Sequence, residues 1–202
     1  MPKLKPETVA ARKEQILTAA LTCFARNGYH QTTLDDIVGE AGLSKGGVYV
    51  HFDSKKALYL ALFDWLMAEA GVTQALEAAG ATAREKLVNA LTGLAATMNQ
   101  PQFRQIAPLL LDMWLQNLHD PDISQVFAAQ YEQFRQRLVK IVEEGVAAGE
   151  FKPLDALSLA NLLLGAFDGL MVQELIDDSA VHWPAVSDTL VTLVDGLLAE
   201  PH

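Results

Sequence analysis

Between Ala10 and Asn27 the apolar side chains fall at Ile16, Leu17, Ala20, Leu21 and Phe24, spacings of one, three and four that line one face of a helix. Gly28 follows as a C-terminal stop. A second helix is predicted from Thr33, whose hydroxyl caps free N–H groups while Asp35 and Asp36 occupy the electropositive first turn. Leu34, Ile37, Val38 and Ala41 form its apolar stripe and Gly42 ends it. Ser44 then caps a short third helix running to Phe52, with Val48 and Phe52 one turn apart on the core side. Two short helices joined by Gly42-Leu43-Ser44 have the length and chemistry of a helix-turn-helix.

Asp53-Ser54 caps a fourth helix expected to reach about Ala79. Periodic segments follow at roughly 83–98, 102–118, 122–148, 155–177 and 184–199, separated by Pro101, Pro121, Gly149 with Pro153, and Pro184. No alternating stretch of strand length stands out, so the expected fold class is all-α with about nine helices. From Leu154 to Ile176 apolar residues surround the helix axis, so that helix must be covered on more than one side. The terminal helix adds a seam of Val186, Leu190, Leu193, Val194 and Leu197. Together with Leu157 and Leu164 this seam suits a four-helix interface with a symmetry mate, the alternative being a larger core within one chain.

A chain of 202 residues, half of them apolar, can bury one compact core or two small ones, which excludes disorder throughout. The net charge is −10, but residues 1–56 carry eight Lys/Arg against six Asp/Glu, a net of +2, while the remainder carries seven against nineteen, a net of −12. An acidic body repels a polyanion, which confines any nucleic-acid contact to the N-terminal segment. The single cysteine, Cys23, rules out an internal disulfide and reads as a buried, inert thiol. The polar start MPKLKPETVAARKEQ is unlike a secretory signal. The longest apolar tract, Ala156 to Phe167, is broken by Ser158 and Asn161 and falls short of the roughly 18–20 residues of a membrane span. The expected location is therefore the cytoplasm, with no membrane partner. No activated nucleophile, paired carboxylate beside a base, phosphate loop or metal-ligand spacing is found, so no enzyme activity, cofactor or metal is expected. His119-Asp120-Pro121-Asp122 reads as an exposed connector.

The stretch TTLDDIVGEAGLSKGGVYVHFDSKKAL, Thr32 to Leu58, closely resembles the DNA-binding signature of the TetR (tetracycline repressor) family of transcriptional regulators. With the helix before it, the resemblance covers roughly residues 10–60; further on, Asp155 to Leu198 looks like the family's usual last two helices. The resemblance implies a helix-turn-helix DNA-binding domain over 1–53 and a helical effector-binding and dimerisation domain over 54–202. It also implies a homodimeric repressor that binds a palindromic operator and is released by a small-molecule effector. In the DNA-bound dimer the two recognition helices would lie about 34–36 Å apart. A helical ligand-binding module without DNA function, and an activator on the same fold, are the alternatives.

On the third helix, Gly46, Tyr49 and Val50 point away from the core side with Lys45 at the flank, and this face is expected to enter a major groove. Lys45 would approach base edges or phosphate, and Tyr49 would offer its hydroxyl to phosphate and its ring to a thymine methyl. His51 and Lys55 match family positions that usually touch phosphate; Thr33 and Ser44 open their helices, and Thr33 is expected to reach phosphate as well as to cap. Gly46-Gly47 lowers helix propensity by roughly 1 kcal/mol per glycine, which suits close backbone approach to DNA and readout of its shape. In the body, Phe103, Met113, Trp114, Phe127, Tyr131, Phe134, Phe167 and Met171 are the candidate lining of a pocket for an apolar or aromatic effector. Asp112, Asn117, Asn161, Asp168 and Gln173 are the candidate orienting groups, and a buried Asp168 would favour a cationic ligand.

Overall fold

The computed structural model describes residues 6–77, 79–117 and 119–199, and among them ten helices carry the fold. These are α1 (Pro6–Gln31), α2 (Leu34–Ala41), α3 (Lys45–Tyr49), α4 (Lys55–Glu69), α5 (Val72–Leu76), α6 (Ala83–Met98), α7 (Pro101–Asn117), α8 (Pro121–Ala147), α9 (Ala156–Ile176) and α10 (Trp183–Asp195). The extra helix arises where a fourth helix was expected to run on to Ala79. Gly71 instead adopts φ 80°, a left-handed conformation that stops α4 and restarts the chain as α5. No strand is present among the described residues beyond an isolated bridge between Phe151 and Leu198.

The chain packs as two compact units, the first comprising residues up to Leu66 with Leu109–Ser124, and the second Met67–Pro108 with the residues from Gln125 onward. This is a division by packing; the functional boundary expected between 53 and 54 is a separate matter. In the first unit, Ile16, Ala20, Ile37, Val48, Leu58 and Leu62 are wholly buried, so the first three helices turn their predicted stripes inward and α4 buries Leu58 and Leu62. Gly28 breaks α1 at φ 72°, and the buried Thr32 hydroxyl closes the break by donating to the Gly28 and Cys23 carbonyls at 2.8 and 3.2 Å. An aromatic cluster seals the same end, with Phe24 edge-on to Tyr59 at 5.1 Å and Tyr29 at 4.4 Å from Tyr59. Cys23 is buried, and burial pushes its thiol pKa up, as expected of an inert core thiol.

The connector before α8 is built by Asp120, whose carboxylate accepts the backbone N–H groups of Asp122 and Ile123 at 3.0 and 3.4 Å. Lys56 at the start of α4 bridges Asp120 and Asp122 at 2.9 and 2.8 Å.

In the second unit α6 packs against α5 and α10. Residues 150–152 run beside 197–199, with Lys152 N–H donating to Leu197 and Ala199 N–H to Glu150. The Phe151 ring occupies the space where a Cβ at Gly145 would project, which accounts for the glycine inside α8. Helix α9 buries Ala156, Ala160, Leu164, Phe167 and Met171 and leaves its opposite face bare, with Leu162 70 % exposed. Its 21 residues reach a mean hydropathy of 1.4 over an 18-residue window, so by length and composition α9 is apolar enough to cross a membrane. The tract counted from the sequence stopped at Phe167 and underestimated it.

Candidate nucleic-acid interface

Helix α2 begins with a reciprocal cap. The Thr33 hydroxyl accepts the Asp36 N–H at 3.1 Å and donates to the Asp36 carboxylate at 2.7 Å, which also takes the Thr33 N–H at 2.8 Å. These hydrogen bonds hold the Asp36 carboxyl below its ordinary pKa. The helix ends at Gly42 with φ 63°, a left-handed turn that an L side chain rarely adopts, and Ser44 immediately opens α3 by accepting the Gly47 N–H at 3.1 Å. Although α3 proper closes at Tyr49, hydrogen bonds from Val50, His51 and Phe52 back to Gly46 and Val48 continue the turn to Phe52.

This local geometry divides α3 sharply. Val48 is wholly buried and Phe52 is 5 % exposed, whereas Tyr49 is 42 % and Val50 80 % exposed. Lys45 and Gly46 share the open side, and His51 is half-buried at its edge. A Cβ built at Gly46 meets nothing within 4 Å, so the protein itself does not require glycine there. At Gly47 a Cβ would come within 3.2 Å of the Ser44 hydroxyl, so this glycine serves the cap. The face made by Lys45, Gly46, Tyr49 and Val50 exposes one cation, one phenol and one methyl-bearing residue.

The basic side chains of this region are engaged within the protein. Lys45 Nζ lies 2.7 Å from the Asp35 carboxylate and 5.9 Å from the Tyr49 ring centre. Arg26 pairs with Glu40 at 3.0 Å. Lys55, expected to reach phosphate, instead donates to the carbonyls of Tyr29 and Thr32 at 2.7 and 2.9 Å and sits 4.3 Å over the Tyr29 ring. Its partial burial lowers the pKa of the ammonium. The Thr33 hydroxyl is likewise taken up by Asp36, an anion already seated at the α2 N-terminus where phosphate contact was expected. Sequence reasoning missed these partnerships because Lys45 and Asp35 are ten residues apart, and Lys55 and Tyr29 twenty-six; only the turn geometry brings them together.

The candidate effector residues divide between the two units. Phe103, Phe127, Phe134, Phe167 and Met171 are buried in the second, with Tyr131 and Asp168 half-buried among their helices; Met113 and Trp114 belong to the first. Tyr131 donates to Asp168 at 3.1 Å. Burial pushes the Asp168 carboxyl up to about 6 despite that hydrogen bond. Phe167 stacks on Trp183 at 6.3 Å, and the Trp183 indole donates to Glu174 at 3.0 Å. Of the other orienting groups, Asn161 and Gln173 lie on the exposed face of α9, where Asn161 accepts from Arg135 at 2.7 Å. They are therefore corrected to surface residues. Asp112 faces the buried Tyr59 hydroxyl within the first unit, and the Asn117 side chain lies outside the described residues.

Among the candidate dimerisation residues, Leu157 and Leu193 are 49 % and 59 % exposed. Val186 and Leu197 are half-buried. Leu164, Leu190 and Val194 are corrected to core, being only 3–8 % exposed, because they point into their own unit and back the face from behind. The sequence could not resolve this, since α9 is apolar all round. It also missed Leu162 and Ile176, 70 % and 81 % exposed. Between α9 and α10 lies a groove of about 390 Å³ lined by Ala166, Leu170, Ala185, Val186, Leu190 and Leu193.

Comparison with known proteins agrees with this layout. Residues 16–62 match the family of bacterial regulatory proteins, tetR family, and residues 83–199 match the BetI-type transcriptional repressor, C-terminal, family. The chain is 28 % identical over 185 residues to the HTH-type transcriptional regulator YfiR of Bacillus subtilis, covering 88 % of this chain and 86 % of the relative. It is 32 % identical to the HTH-type transcriptional repressor KstR2 of Mycolicibacterium smegmatis, covering 73 % and 71 %. A crystal structure of a transcriptional regulator from Saccharomonospora viridis in complex with choline superposes with a TM-score of 0.75 at 27 % identity, covering 95 % of this chain and all of the other.

Proposed function

The chain belongs to the TetR family and is a ligand-responsive, DNA-binding transcriptional repressor; from this premise we propose that it binds a palindromic operator as a homodimer in the cytoplasm. The observation that carries the reading is the exposure of Tyr49 and Val50 beside an open Gly46, on a helix whose other side is wholly buried. Nothing within the first unit gains from leaving those apolar surfaces in water, whereas a major groove offers thymine methyls and phosphates to them. Lys45 and Tyr49 supply the side-chain contacts. His51 supplies a phosphate contact at the edge, and the N-terminal turns at Ser44 and Lys55 supply backbone positioning, while the turn at Thr33 is closed by Asp36. With so few reading groups, DNA shape contributes much of the specificity.

Pairing through α9 and α10 accounts for the bare apolar face. Leu157, Leu162, Leu193 and Ile176 cover each other across a twofold axis, which presents the α3 surface twice. The effector occupies the second unit around Tyr131 and Asp168. The choline complex of the 27 %-identical regulator supports an effector with a positive charge, because an ionised Asp168 held by Tyr131, whose ring packs on Phe134, suits a cation on an apolar body. Effector binding favours a spacing of the two α3 helices that no longer fits the operator, to the extent that it binds that arrangement more tightly.

A gel shift with the duplex upstream of the chain's own reading frame, run across a salt series, tests the reading. A specific complex that survives at moderate salt and shifts as a dimer supports it; retention no better than on random DNA refutes it.

A further inference from the structure

Every lysine and arginine between Arg26 and Lys56 is engaged within the protein: Arg26 with Glu40, Lys45 with Asp35, Lys55 with two carbonyls, and Lys56 with Asp120 and Asp122. A DNA-binding surface made this way offers a polyanion little net attraction. Of the four cations only Lys45 stands on the exposed side of α3, and its pair with Asp35 differs from the others in two respects. Both partners are well exposed, 61 % and 68 %, so the pair is weak and can be exchanged. Its acid also lies on the same open side as the cation, so any phosphate that approaches Lys45 meets the Asp35 carboxylate within a Debye length.

We propose that Asp35 is a specificity-determining residue that holds Lys45 in an exchangeable ion pair and thereby suppresses binding to non-operator DNA. On random DNA the pair stays closed, because a loosely held phosphate gains little from Lys45 and is repelled by Asp35. On the operator the α3 face is seated, the phosphate is fixed close to Lys45, and the ammonium exchanges one oxygen partner for another. Asp35 thus subtracts from the sequence-independent part of binding and leaves the operator-specific part largely intact, which raises the ratio between them. The competing explanation for an acid at this position is its favourable charge in the first turn of α2. That role stabilises the helix but does not act through Lys45.

The inference rests on the α3 face being the DNA-contacting surface, and a double-substitution cycle separates the two. Affinities of the full chain for the operator duplex and for a random duplex of equal length are measured by fluorescence anisotropy across a salt series, for wild type, Asp35→Asn, Lys45→Met and the double variant. Glu14→Gln, at an exposed acid outside the ion pairs above, serves as a control for general charge and circular dichroism as a check of folding. For Asp35→Asn the expected result is roughly threefold to tenfold tighter binding to random DNA, with a salt slope steeper by about 0.9, corresponding to one more phosphate contact. Operator affinity should change less than about twofold, and the gain on random DNA should vanish in the Lys45→Met background. Unchanged binding to random DNA, an equal gain on both duplexes, the same gain in Glu14→Gln, or a gain that persists without Lys45 would overturn the proposal. Absence of an operator complex with wild type would overturn the reading of the α3 face itself.

Discussion

Replacing Asp168 by Asn removes a charge that the fold holds at a cost, and the structure sets the size of the effect. The carboxyl is half-buried and its pKa rises from 3.8 to about 6, chiefly through burial. At 1.36 kcal/mol per pH unit the ionised side chain therefore opposes folding by about 3 kcal/mol at most. Between pH 4 and 6 the folded chain binds the proton and the unfolded chain does not, so this contribution to stability is full below about pH 4 and lost as the pH rises through 6. Asn keeps the acceptor for the Tyr131 hydroxyl, now 3.1 Å from Asp168, and has no charge to desolvate. Urea unfolding of wild type and Asp168→Asn at pH 4.5, 6 and 8 should show a difference growing from about 1 kcal/mol to about 3 kcal/mol in favour of Asn. A cationic effector should lose its stabilising effect on the variant at pH 8. A variant equally or less stable than wild type at pH 8 would refute the reasoning, since the carboxylate would then have a compensating partner inside the fold.

Gly46→Ala should leave stability unchanged or raise it by up to about 1 kcal/mol, because its Cβ meets nothing, while Gly46→Leu should weaken operator binding at least roughly tenfold, or about 1.4 kcal/mol; anisotropy and thermal melts read both. Lys55→Met should lower stability by about 1–3 kcal/mol by stranding the Tyr29 and Thr32 carbonyls, measured by denaturant titration. Leu162→Glu with Leu193→Glu, both on exposed positions, should leave the helical content of the chain intact and shift sedimentation at micromolar concentration from dimer to monomer.

The helical stripes of the first three helices are legible because each has one wet side, so periodicity alone identifies Ile16, Ile37 and Val48 as core. The outward set on α3 followed from the same geometry, since Val48 and Phe52 fix which side is left over. Three features were hidden for physical reasons. Gly71 falls inside the predicted fourth helix because its left-handed φ leaves no trace in a hydrophobicity pattern. The inner and outer sides of α9 cannot be told apart in a helix apolar on all sides, so the pattern assigns the buried Leu164 to the dimer seam and leaves out the exposed Leu162. The partners of Lys45 and Lys55 depend on a turn that brings distant residues together, and charge counting could reveal only that acids and bases nearly balance in the N-terminal segment.

The most direct test of the account is hydroxyl-radical footprinting of the full chain on the duplex upstream of its reading frame, comparing wild type with Tyr49→Ala. Two protected stretches on one face of the duplex, about 10 base pairs apart and lost together in Tyr49→Ala, are the predicted result. A single unpaired stretch, or protection that survives the loss of Tyr49 undiminished, would contradict the claim that the α3 face enters the groove and is presented twice by a twofold dimer.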